Sequence, residues 1–350
     1  MNAVTHGTLD SATLHELLST ANLSPRATAS AEGQRDPVKA IFKVLLSSRV
    51  RKGSLAAMDA EGFVARHHER LAARLARNEP VQLTLVGFPF KVPNPLKVGG
   101  RTFPDLAEVA ALMTLAQLQL DVQRVYAPGI EVVILHDGAY IANAFGVPRR
   151  ETYEYTRYFR WLLQATGADV FVRCVDLVCL LGSEQREDPA PKDPRRANGG
   201  DTATFRKTLG MLNLRWVRPE MLPRVYEQLQ HDDPASFTGD AATLYREVRQ
   251  SMARYAACDD FLHRFDPRPR AYPEAIHATT RPRPGRLALW LVRRGRSLLP
   301  WHGVGVLDRT GRIEVRHASE LQAEGEYRPV FIEGETTPFF YRHAAGDDAL

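Results

Sequence analysis

Two apolar stretches with a helix start between them limit most strongly what this chain can fold into. Residues 81–87 read Val-Gln-Leu-Thr-Leu-Val-Gly, residues 130–135 read Ile-Glu-Val-Val-Ile-Leu, and Pro104 suits the first position of a helix that joins them. A nearly all-apolar strand is typical of a sheet that is covered on both faces, as parallel sheets are. The pattern predicts an α/β fold whose Rossmann-like, mainly parallel sheet is flanked by helices.

Changes in composition divide the chain into four parts. Residues 1–35 are rich in Ser, Thr, Ala and Asn, which predicts a mobile N-terminal arm. The α/β core is expected over residues 36–200 and ends in a charged Pro- and Gly-rich stretch that favours a lid or a domain connection. Helical sequence forms an insertion over residues 201–270, and short C-terminal strands over residues 271–350 complete the core and the site.

Further elements are expected inside the core. Helices are predicted over roughly residues 55–78 and residues 148–166, and a third strand over residues 169–181. The second of these helices carries a stripe of Tyr, Phe and Trp side chains. Such a stripe is typical either of a core helix or of the wall of a substrate pocket.

Charge, cysteine content and hydropathy narrow the class of protein. The net charge is +5, and six arginines fall between residues 281 and 296, which favours an anionic partner or a solvated strand edge. The three cysteines lack the spacing of metal ligands, which indicates a reduced, cytoplasmic protein without a metal site. No apolar stretch approaches the ~20 residues of a membrane span, so no membrane partner is expected.

Cations follow the first apolar strand. Lys91 comes directly after it, with Phe90 beside it to exclude water, and Lys97 and Arg101 lie on a Gly-rich loop that leads to a helix N-terminus. Backbone N–H groups and the helix dipole favour an anion there, and arginine adds directional hydrogen bonds. The loop therefore predicts a phosphate cradle, although a basic surface loop has the same composition.

Three polar clusters lie farther along the chain. His136 and Asp137 follow the second apolar strand, where a carboxylate beside an imidazole suits proton transfer; a turn capped by the Asp is the other interpretation. Trp301 and His302 form the second cluster, since histidine titrates near neutrality. The third holds His277, Thr279 and Arg281, whose groups suit a phosphate or carboxylate.

Five ordered motifs resemble the isonitrile (isocyanide) synthases, a family that includes bacterial enzymes of the pyoverdine and paerucumarin type and the fungal dityrosine-wall enzyme. The likeness runs from about residue 38 to 343, and between Ala275 and Arg281 this chain departs from the Arg-Leu-Ser-Ile-His type of stretch found in the family. The motifs are Phe88-Pro89-Phe90-Lys91, Pro104-Asp105-Leu106-Ala107-Glu108, Tyr126-Ala127-Pro128-Gly129, His136-Asp137-Gly138 and Pro300-Trp301-His302.

The resemblance implies a metal-independent enzyme of transferase or lyase type. Its substrates would be an aromatic L-amino acid, with tyrosine favoured over tryptophan, and ribulose 5-phosphate, which is the carbon donor and co-substrate; no other cofactor is expected. The α-amine would become an isonitrile through imine formation at the sugar ketone, proton shifts, phosphate loss and carbon–carbon fragmentation. A downstream tailoring oxygenase is a conceivable partner.

The same resemblance assigns roles to the polar residues. Asp137 and His302 are expected to move protons, and Lys91 is the third catalytic candidate. Lys91, Lys97, Arg101 and Arg281 are expected to hold the anionic groups. The substrate-binding candidates are Phe90, Lys97, Arg101, His136, His277, Thr279, Arg281 and Trp301.

Other functions fit parts of the sequence. A Rossmann-type methyltransferase or dehydrogenase needs a glycine-rich first βα turn, and Gly87-Phe88-Pro89-Phe90 places bulky groups there instead. Nucleic-acid binding through the arginines of residues 281–296 is an alternative that predicts strongly salt-dependent retention, although no nucleic-acid partner is expected. A formylated amino acid is an alternative product within the same family.

Overall fold

The computed structural model of the chain describes residues 7–21, 23, 36–47, 59–92, 95–145, 147–180, 258, 266–280, 286–292 and 298–346. The helical insertion predicted over residues 201–270 therefore lies outside the described residues except for Cys258 and residues 266–270, and Arg281 lies outside them as well.

Helices separate the successive described strands along the first half of the chain. The strands are β1 (Gly7–Leu9), β2 (Val81–Gly87), β3 (Ile130–His136), β4 (Val172–Asp176), β5 (Ile276–Thr279), β6 (Leu287–Ala288), β7 (Val304–Leu307), β8 (Ile313–Arg316), β9 (Tyr327–Ile332) and β10 (Phe340–His343). The α-helices span Ser11–Ala21, Pro37–Leu45, Ala60–Ala76, Pro95–Val98, Leu106–Gln123, Gly138–Ile141, Arg149–Ala165, Arg268–Ala271 and Ala318–Glu324.

A five-stranded parallel sheet forms the core, in the order β4-β3-β2-β5-β6. Strand β2 lies at its centre, with Val81 opposite Ile130 on one side and Leu83 opposite Ile276 on the other. The first strand in the sheet therefore has later strands on both sides, which is the arrangement of a doubly wound sheet, and ligands bind such sheets outside the carboxyl ends of the strands where the order reverses. The predicted α/β class with a mainly parallel sheet is confirmed.

The C-terminal strands build a second, mixed sheet in the order β1-β9-β10-β7-β8. Strand β1 pairs in parallel with β9, and β10 pairs in parallel with β7, whereas the other neighbours are antiparallel. The prediction of short strands in this part of the chain is confirmed.

The predicted N-terminal arm contains a strand and a helix between residues 7 and 21. Strand β1 pairs with β9, and the Ser11–Ala21 helix buries Leu14 and Leu18 against Phe339 and Phe340. The arm has few large apolar residues, and the role of Leu14 and Leu18 becomes clear only once a distant partner surface is known.

The Leu106–Gln123 helix lies between the two sheets and contacts β3 on one side and β7 and β8 on the other. Most of its residues are buried, and its buried apolar side chains lie on more than one face, as expected for a helix packed between two sheets. The helix begins at Leu106, so Pro104 is not its first residue as predicted. Asp105 is the N-cap instead: its Oδ1 accepts from the Ala107 amide at 2.6 Å, and Glu108 Oε2 accepts from the Asp105 amide at 2.8 Å.

The other predicted elements differ from the structure mainly in their ends. The aromatic helix expected over residues 148–166 spans Arg149–Ala165, and its Tyr155 and Phe159 are buried. The strand expected over residues 169–181 is shorter, Val172–Asp176, because 3₁₀ turns occupy both of its flanks. Among the helices that the structure describes, none combines the length and apolar character needed to cross a bilayer.

Candidate active site

The chain leaves β2 through a strained residue. Phe88 has a φ of 57°, in the left-handed region that bulky L-residues avoid, at a cost of ~1–3 kcal/mol. Its side chain is fully buried, with the ring centroid 4.7 Å from that of Phe159 and 5.1 Å from that of Trp301. Packing therefore holds the strained turn in place, and nothing in the sequence signals it.

The loop after β2 lies against the turn that contains the second histidine cluster. Lys91 Nζ donates to the carbonyl oxygens of Pro300 and Gly303, both at 3.0 Å. The Val92 amide donates to the carbonyl oxygen of Trp301 at 2.9 Å. Backbone groups on both sides of His302 are thus held by residues that follow the first strand of the parallel sheet.

The same loop also contacts the segment after β3. A Cβ atom on Gly138 would clash with the carbonyl oxygen of Pro89 and would lie 2.6 Å from Cε1 of His136, so only glycine fits this close approach. Three motifs that are far apart in sequence therefore meet at the carboxyl edge of the parallel sheet: Phe88–Lys91, His136–Gly138 and Pro300–Gly303.

Lys91 is enclosed by protein groups. Its side chain is 0% exposed, and Nζ lies 3.0 Å from Asp105 Oδ2 and 2.8 Å from Glu108 Oε2, whose side chains are also 0% exposed. An ammonium has three donors, and two carboxylates and two backbone carbonyls already surround this one. The sequence predicts that Lys91 binds an anionic substrate group. In the structure, its ammonium interacts with carboxyl and carbonyl groups of the protein instead.

Burial changes the pKa of Asp105, one of the two acids in this network. Burial raises the pKa of Asp105 to about 7, Lys91 and Arg101 oppose the shift, and the Glu108 carboxylate adds to it. Glu108 also accepts a hydrogen bond from Tyr155 Oη at 3.0 Å. Burial and these carboxylates raise the pKa of Tyr155 well above its usual value. One ammonium therefore faces two carboxylates inside a dry part of the fold.

Arg101, also predicted to hold an anion, is buried in a second network. Its Nε donates to the Pro104 carbonyl at 3.2 Å, and Nη1 forms an ion pair with Glu335. The guanidinium carbon lies 5.1 Å from the centre of the Phe339 ring. The predicted phosphate cradle therefore includes an arginine that joins the loop to the mixed sheet.

Lys97 differs from both of these cations. It is half-buried on the short Pro95–Val98 helix, which packs against the Pro300–His302 turn and the Ala318–Glu324 helix. Burial lowers the pKa of Lys97. Within the described part of the chain, no carboxylate pairs with Lys97. Of the three cations predicted in this loop region, Lys97 is the one whose charge is not neutralised by a described acidic neighbour.

His136 and Asp137 occupy the end of β3. His136 is buried 2.8 Å from Thr156 Oγ1, and burial, with a contribution from Arg160, lowers the pKa of His136 to about 3. Asp137 is half-buried, and its carboxylate does not hydrogen-bond to the amides of the following Gly138–Ile141 turn. The alternative interpretation, a capping aspartate, is therefore not what the structure contains.

The catalytic candidate His302 lies at the end of a 3₁₀ turn. His302 is half-buried, its amide donates to the Leu299 carbonyl at 2.9 Å, and its ring centroid lies 6.3 Å from that of Trp301. Trp301 is buried against Phe88. The predicted binding residue Phe90 is buried as well, with its ring 5.6 Å from that of Phe145.

The third polar cluster is spread along β5. His277 lies opposite Thr84 in the middle of the sheet, with Nδ1 2.8 Å from Thr84 Oγ1, and burial lowers the pKa of His277. Thr279, at the end of β5, is half-buried at the same edge as the other site residues. Of the arginines between residues 281 and 296, the structure describes Arg286, which pairs with Asp266 at 2.6 Å.

Sequence reasoning missed the pairing of Asp105 and Glu108 with Lys91. Acidic residues at these positions are favourable at a helix N-terminus without any such partner, so the residue types alone do not indicate it. The available signal was Lys91 itself, because a lysine among apolar and aromatic neighbours must find counter-ions when the fold buries it. Among the residues described, no cluster of three or more His, Cys, Asp or Glu side chains could hold a metal ion.

A family model described as pyoverdine/dityrosine biosynthesis protein matches residues 71–264, more than half of the chain. The chain belongs to this family. The resemblance drawn from the five motifs is thus confirmed. The matched range includes Phe88–Lys91 and His136–Gly138, two of the three converging motifs.

Two relatives illustrate the range of the family. An L-tyrosine isonitrile synthase of Pseudomonas aeruginosa is 25% identical over 290 residues, which cover 78% of this chain and 82% of the relative. An L-tryptophan isonitrile synthase of Fischerella ambigua is 34% identical over 106 residues, which cover 30% of this chain and 32% of the relative.

A solved structure has the same fold. The crystal structure of the PvcA protein from Pseudomonas aeruginosa matches with a TM-score of 0.59 at 23% identity, and the match covers 88% of this chain and 100% of that chain. The arrangement of sheets and helices described above is therefore that of a solved member of the family.

Proposed function

We propose that this protein is an isonitrile synthase that converts the α-amine of an aromatic L-amino acid to an isonitrile, with ribulose 5-phosphate as carbon donor and co-substrate. The observation that carries the proposal is the meeting of Phe88–Lys91, His136–Gly138 and Pro300–Gly303 at the carboxyl edge of the parallel sheet. Family membership and the activities of the relatives support it.

The reaction needs groups that move protons. Imine formation expels water from the sugar ketone, and the later proton shifts, phosphate loss and carbon–carbon cleavage each require an acid or a base. Asp137 and His302 are assigned to this work, because both are half-buried residues in the converging segments. His136 is less suited, since its low pKa keeps the ring neutral at physiological pH.

The reaction also needs a cation for the phosphate or the carboxylate. Lys97 is assigned to it, because Lys91 and Arg101 are neutralised by buried and half-buried carboxylates. Arg281, which follows β5 in sequence, is the second cation in the assignment. Thr279 supplies a hydroxyl at the same edge, and Trp301 and Phe90 supply apolar surface behind the loop.

Tyrosine is the favoured amino acid, because the L-tyrosine isonitrile synthase of Pseudomonas aeruginosa is similar to this chain over 78% of its length. The proposal also retains a metal-independent reaction of transferase or lyase type in the cytoplasm, followed by a tailoring oxygenase. These parts rest on the family resemblance.

The test is an incubation of the purified protein with ribulose 5-phosphate and each aromatic amino acid in turn, followed by mass analysis. The isonitrile of tyrosine is the expected product, and a formylated amino acid would be heavier by one water. Consumption of tryptophan alone would overturn the preference for tyrosine. No product from any aromatic amino acid would overturn the proposed activity, and salt-sensitive retention of the same protein on RNA would favour a nucleic-acid-binding role instead.

A further inference from the structure

The Lys91 ammonium joins two elements that carry different parts of the site. On one side it donates to the carbonyl oxygens of Pro300 and Gly303, which flank Trp301 and His302. On the other side it is paired with Asp105 and Glu108 at the start of the central helix. The hydrogen bonds to the turn are directional, and the ion pairs to the helix lie in a dry environment, so the ammonium links the turn to the helix.

The acidic side of the network is itself held rigidly. Asp105 Oδ1 accepts from the Ala107 amide at 2.6 Å, so the carboxylate is part of the helix cap. Glu108 accepts from the Asp105 amide at 2.8 Å and from Tyr155 Oη at 3.0 Å. Neither carboxylate can follow a moving ammonium without breaking these bonds. The helix cap therefore acts as the fixed end of the connection.

The Lys91 ammonium has acidic partners as well as the carbonyl oxygens of the turn. Asp105 Oδ2 lies 3.0 Å and Glu108 Oε2 lies 2.8 Å from Nζ, and their attraction offsets the cost of burying the charge. Of the three N–H donors of the ammonium, two serve the carbonyl oxygens of Pro300 and Gly303, and the third is left for the two acids.

We infer that Lys91 is a positioning residue, which together with Asp105 and Glu108 holds the Pro300–Gly303 turn so that the His302 imidazole faces the substrates. It contacts neither the amino acid nor the sugar phosphate. The expected effect on kcat rests on the proposed function. The expected effect on the position of His302 rests only on the geometry of the turn. It departs from the role in catalysis or anion binding that the sequence predicts for Lys91.

The main test uses the neutral triple variant Lys91→Met, Asp105→Asn, Glu108→Gln. Removing all three charges leaves no unpaired ion in the core, so the fold has no buried charge to expel. Displacing a catalytic group by about 1 Å can cost about 100-fold in rate, so kcat should fall by about that factor while KM for both substrates changes little. An unchanged kcat in a folded triple variant would overturn the inference.

A double-mutant cycle separates positioning from direct action. When His302→Gln has already removed the imidazole, adding the triple change should lower kcat by less than about threefold, because the two act through one group. Independent losses that multiply would mean that Lys91 acts on the substrates, and would contradict the inference. If the triple variant does not fold, Glu108→Gln is taken through the same cycle with the same two outcomes.

A second readout needs no turnover, so it separates this inference from the proposed function. The imidazole resonance of His302, assigned by its absence in His302→Gln, should shift or broaden in the triple variant. The exposed His68 serves as an internal reference that should not change. A His302 resonance identical to that of the wild type would overturn the inference whether or not an isonitrile is made.

A matched control comes from the opposite edge of the sheet. Arg74 is a part-buried cation that donates to the Pro80 carbonyl at 3.0 Å and pairs with Glu274 at 3.3 Å. Like Lys91, Arg74 contacts a backbone carbonyl oxygen and a carboxylate, but it lies near the start of β2 and not near its end. Arg74→Met therefore removes similar contacts far from the candidate site. It should leave kcat and the His302 resonance unchanged. An equal loss of kcat would mean that Lys91 contributes only general stability, and would contradict the inference.

Discussion

The two ends of the parallel sheet use the same ion-pair chemistry in opposite surroundings. At the carboxyl edge, Lys91 is paired with two carboxylates, and all three side chains are 0% exposed. At the amino edge, Arg77 pairs with Glu79 at 2.8 Å, but these side chains are 44% and 39% exposed. Water screens the exposed pair, so losing one of its partners costs little. Losing one partner of the buried network leaves an uncompensated charge in the core, which is strongly destabilising. The ion pair at the amino edge is an ordinary surface pair, whereas the one at the carboxyl edge is a buried network beside the candidate active site.

Backbone strain differs between the two edges in the same way. Asn78, before β2, and Phe88, after it, share a φ of 57°. Asparagine tolerates the left-handed region because its short polar side chain fits there, whereas a phenylalanine in this conformation must be held by its surroundings. Phe88 has such surroundings in the rings of Phe159 and Trp301. Strain that persists through packing marks the edge where the site lies.

The largest expected effect is on turnover at the carboxyl edge. His302→Gln and Asp137→Asn should each lower kcat by about 10²–10⁴-fold, the usual contribution of a general acid or base. Both substitutions are nearly isosteric, so the thermal unfolding midpoint should change little. Steady-state kinetics with the thermal midpoint as control measures this. Rates within threefold of the wild type would remove either residue from the mechanism.

The next effect is on stability, and it contrasts the two ion pairs directly. Lys91→Met leaves the Asp105 and Glu108 carboxyl groups buried without a cation, which should cost about 3–5 kcal/mol of unfolding free energy. Arg77→Met exposes nothing that water does not already solvate, so its unfolding curve should overlay that of the wild type. Urea unfolding of both variants makes the comparison. Equal losses at the two positions would contradict the distinction between the edges.

The pH dependence of stability should carry a signature of the buried carboxylates. Burial raises the pKa of Asp105 from 3.8 to about 7, so between these values the folded protein holds a proton that the unfolded chain has released. The stabilisation from Asp105 is therefore complete below about pH 4 and is lost as the pH rises through about 7. Asp105→Asn cannot titrate and shows no such loss.

Urea unfolding of the wild type and of Asp105→Asn from pH 4 to pH 7 measures this contribution. The unfolding free energy of the wild type minus that of the variant should fall as the pH rises. The subtraction cancels the buried histidines, such as His136, whose lowered pKa acts in the opposite direction. A difference that stays constant or rises would contradict the assignment.

The smallest effect concerns the two left-handed residues. Phe88→Ala and Phe88→Gly both lose the packed ring, but glycine relieves the left-handed strain and should be less destabilising than alanine by about 1 kcal/mol. At the amino edge, Asn78→Gly should be nearly neutral and Asn78→Ala slightly destabilising. Thermal or urea unfolding resolves this order. Alanine more stable than glycine at position 88 would mean that Phe88 carries no strain.

Local patterns in the sequence were enough for the main elements of the fold. The apolar residues 81–87 and 130–135 gave the two central strands, and the motifs gave the segments that meet at the carboxyl edge. Contacts between distant residues were not accessible in this way. Lys91 finds its partners at Asp105, Glu108, Pro300 and Gly303, and no local signal specifies that pairing.

The misses have the same origin. The Ser11–Ala21 helix is ordered by a surface contributed from the C-terminal part of the chain, so its own composition suggested an arm. Pro104 has the properties of a first helical residue. The structure shows instead that Asp105 is the N-cap and that the helix begins at Leu106. Lys97 and Lys91 looked equivalent in sequence, and only burial and counter-ions separate them.

The central claim is that the carboxyl edge of the sheet carries an isonitrile-forming site with His302 in it. The most direct measurement supplies tyrosine with ribulose 5-phosphate that is labelled with ¹³C at C2, and follows the label by NMR in the wild type and in His302→Gln. The account predicts that the label appears in an isonitrile carbon bonded to the nitrogen of tyrosine with the wild type, and is nearly absent with the variant. Label that stays in the sugar phosphate with the wild type, or that transfers equally well in the variant, would contradict it.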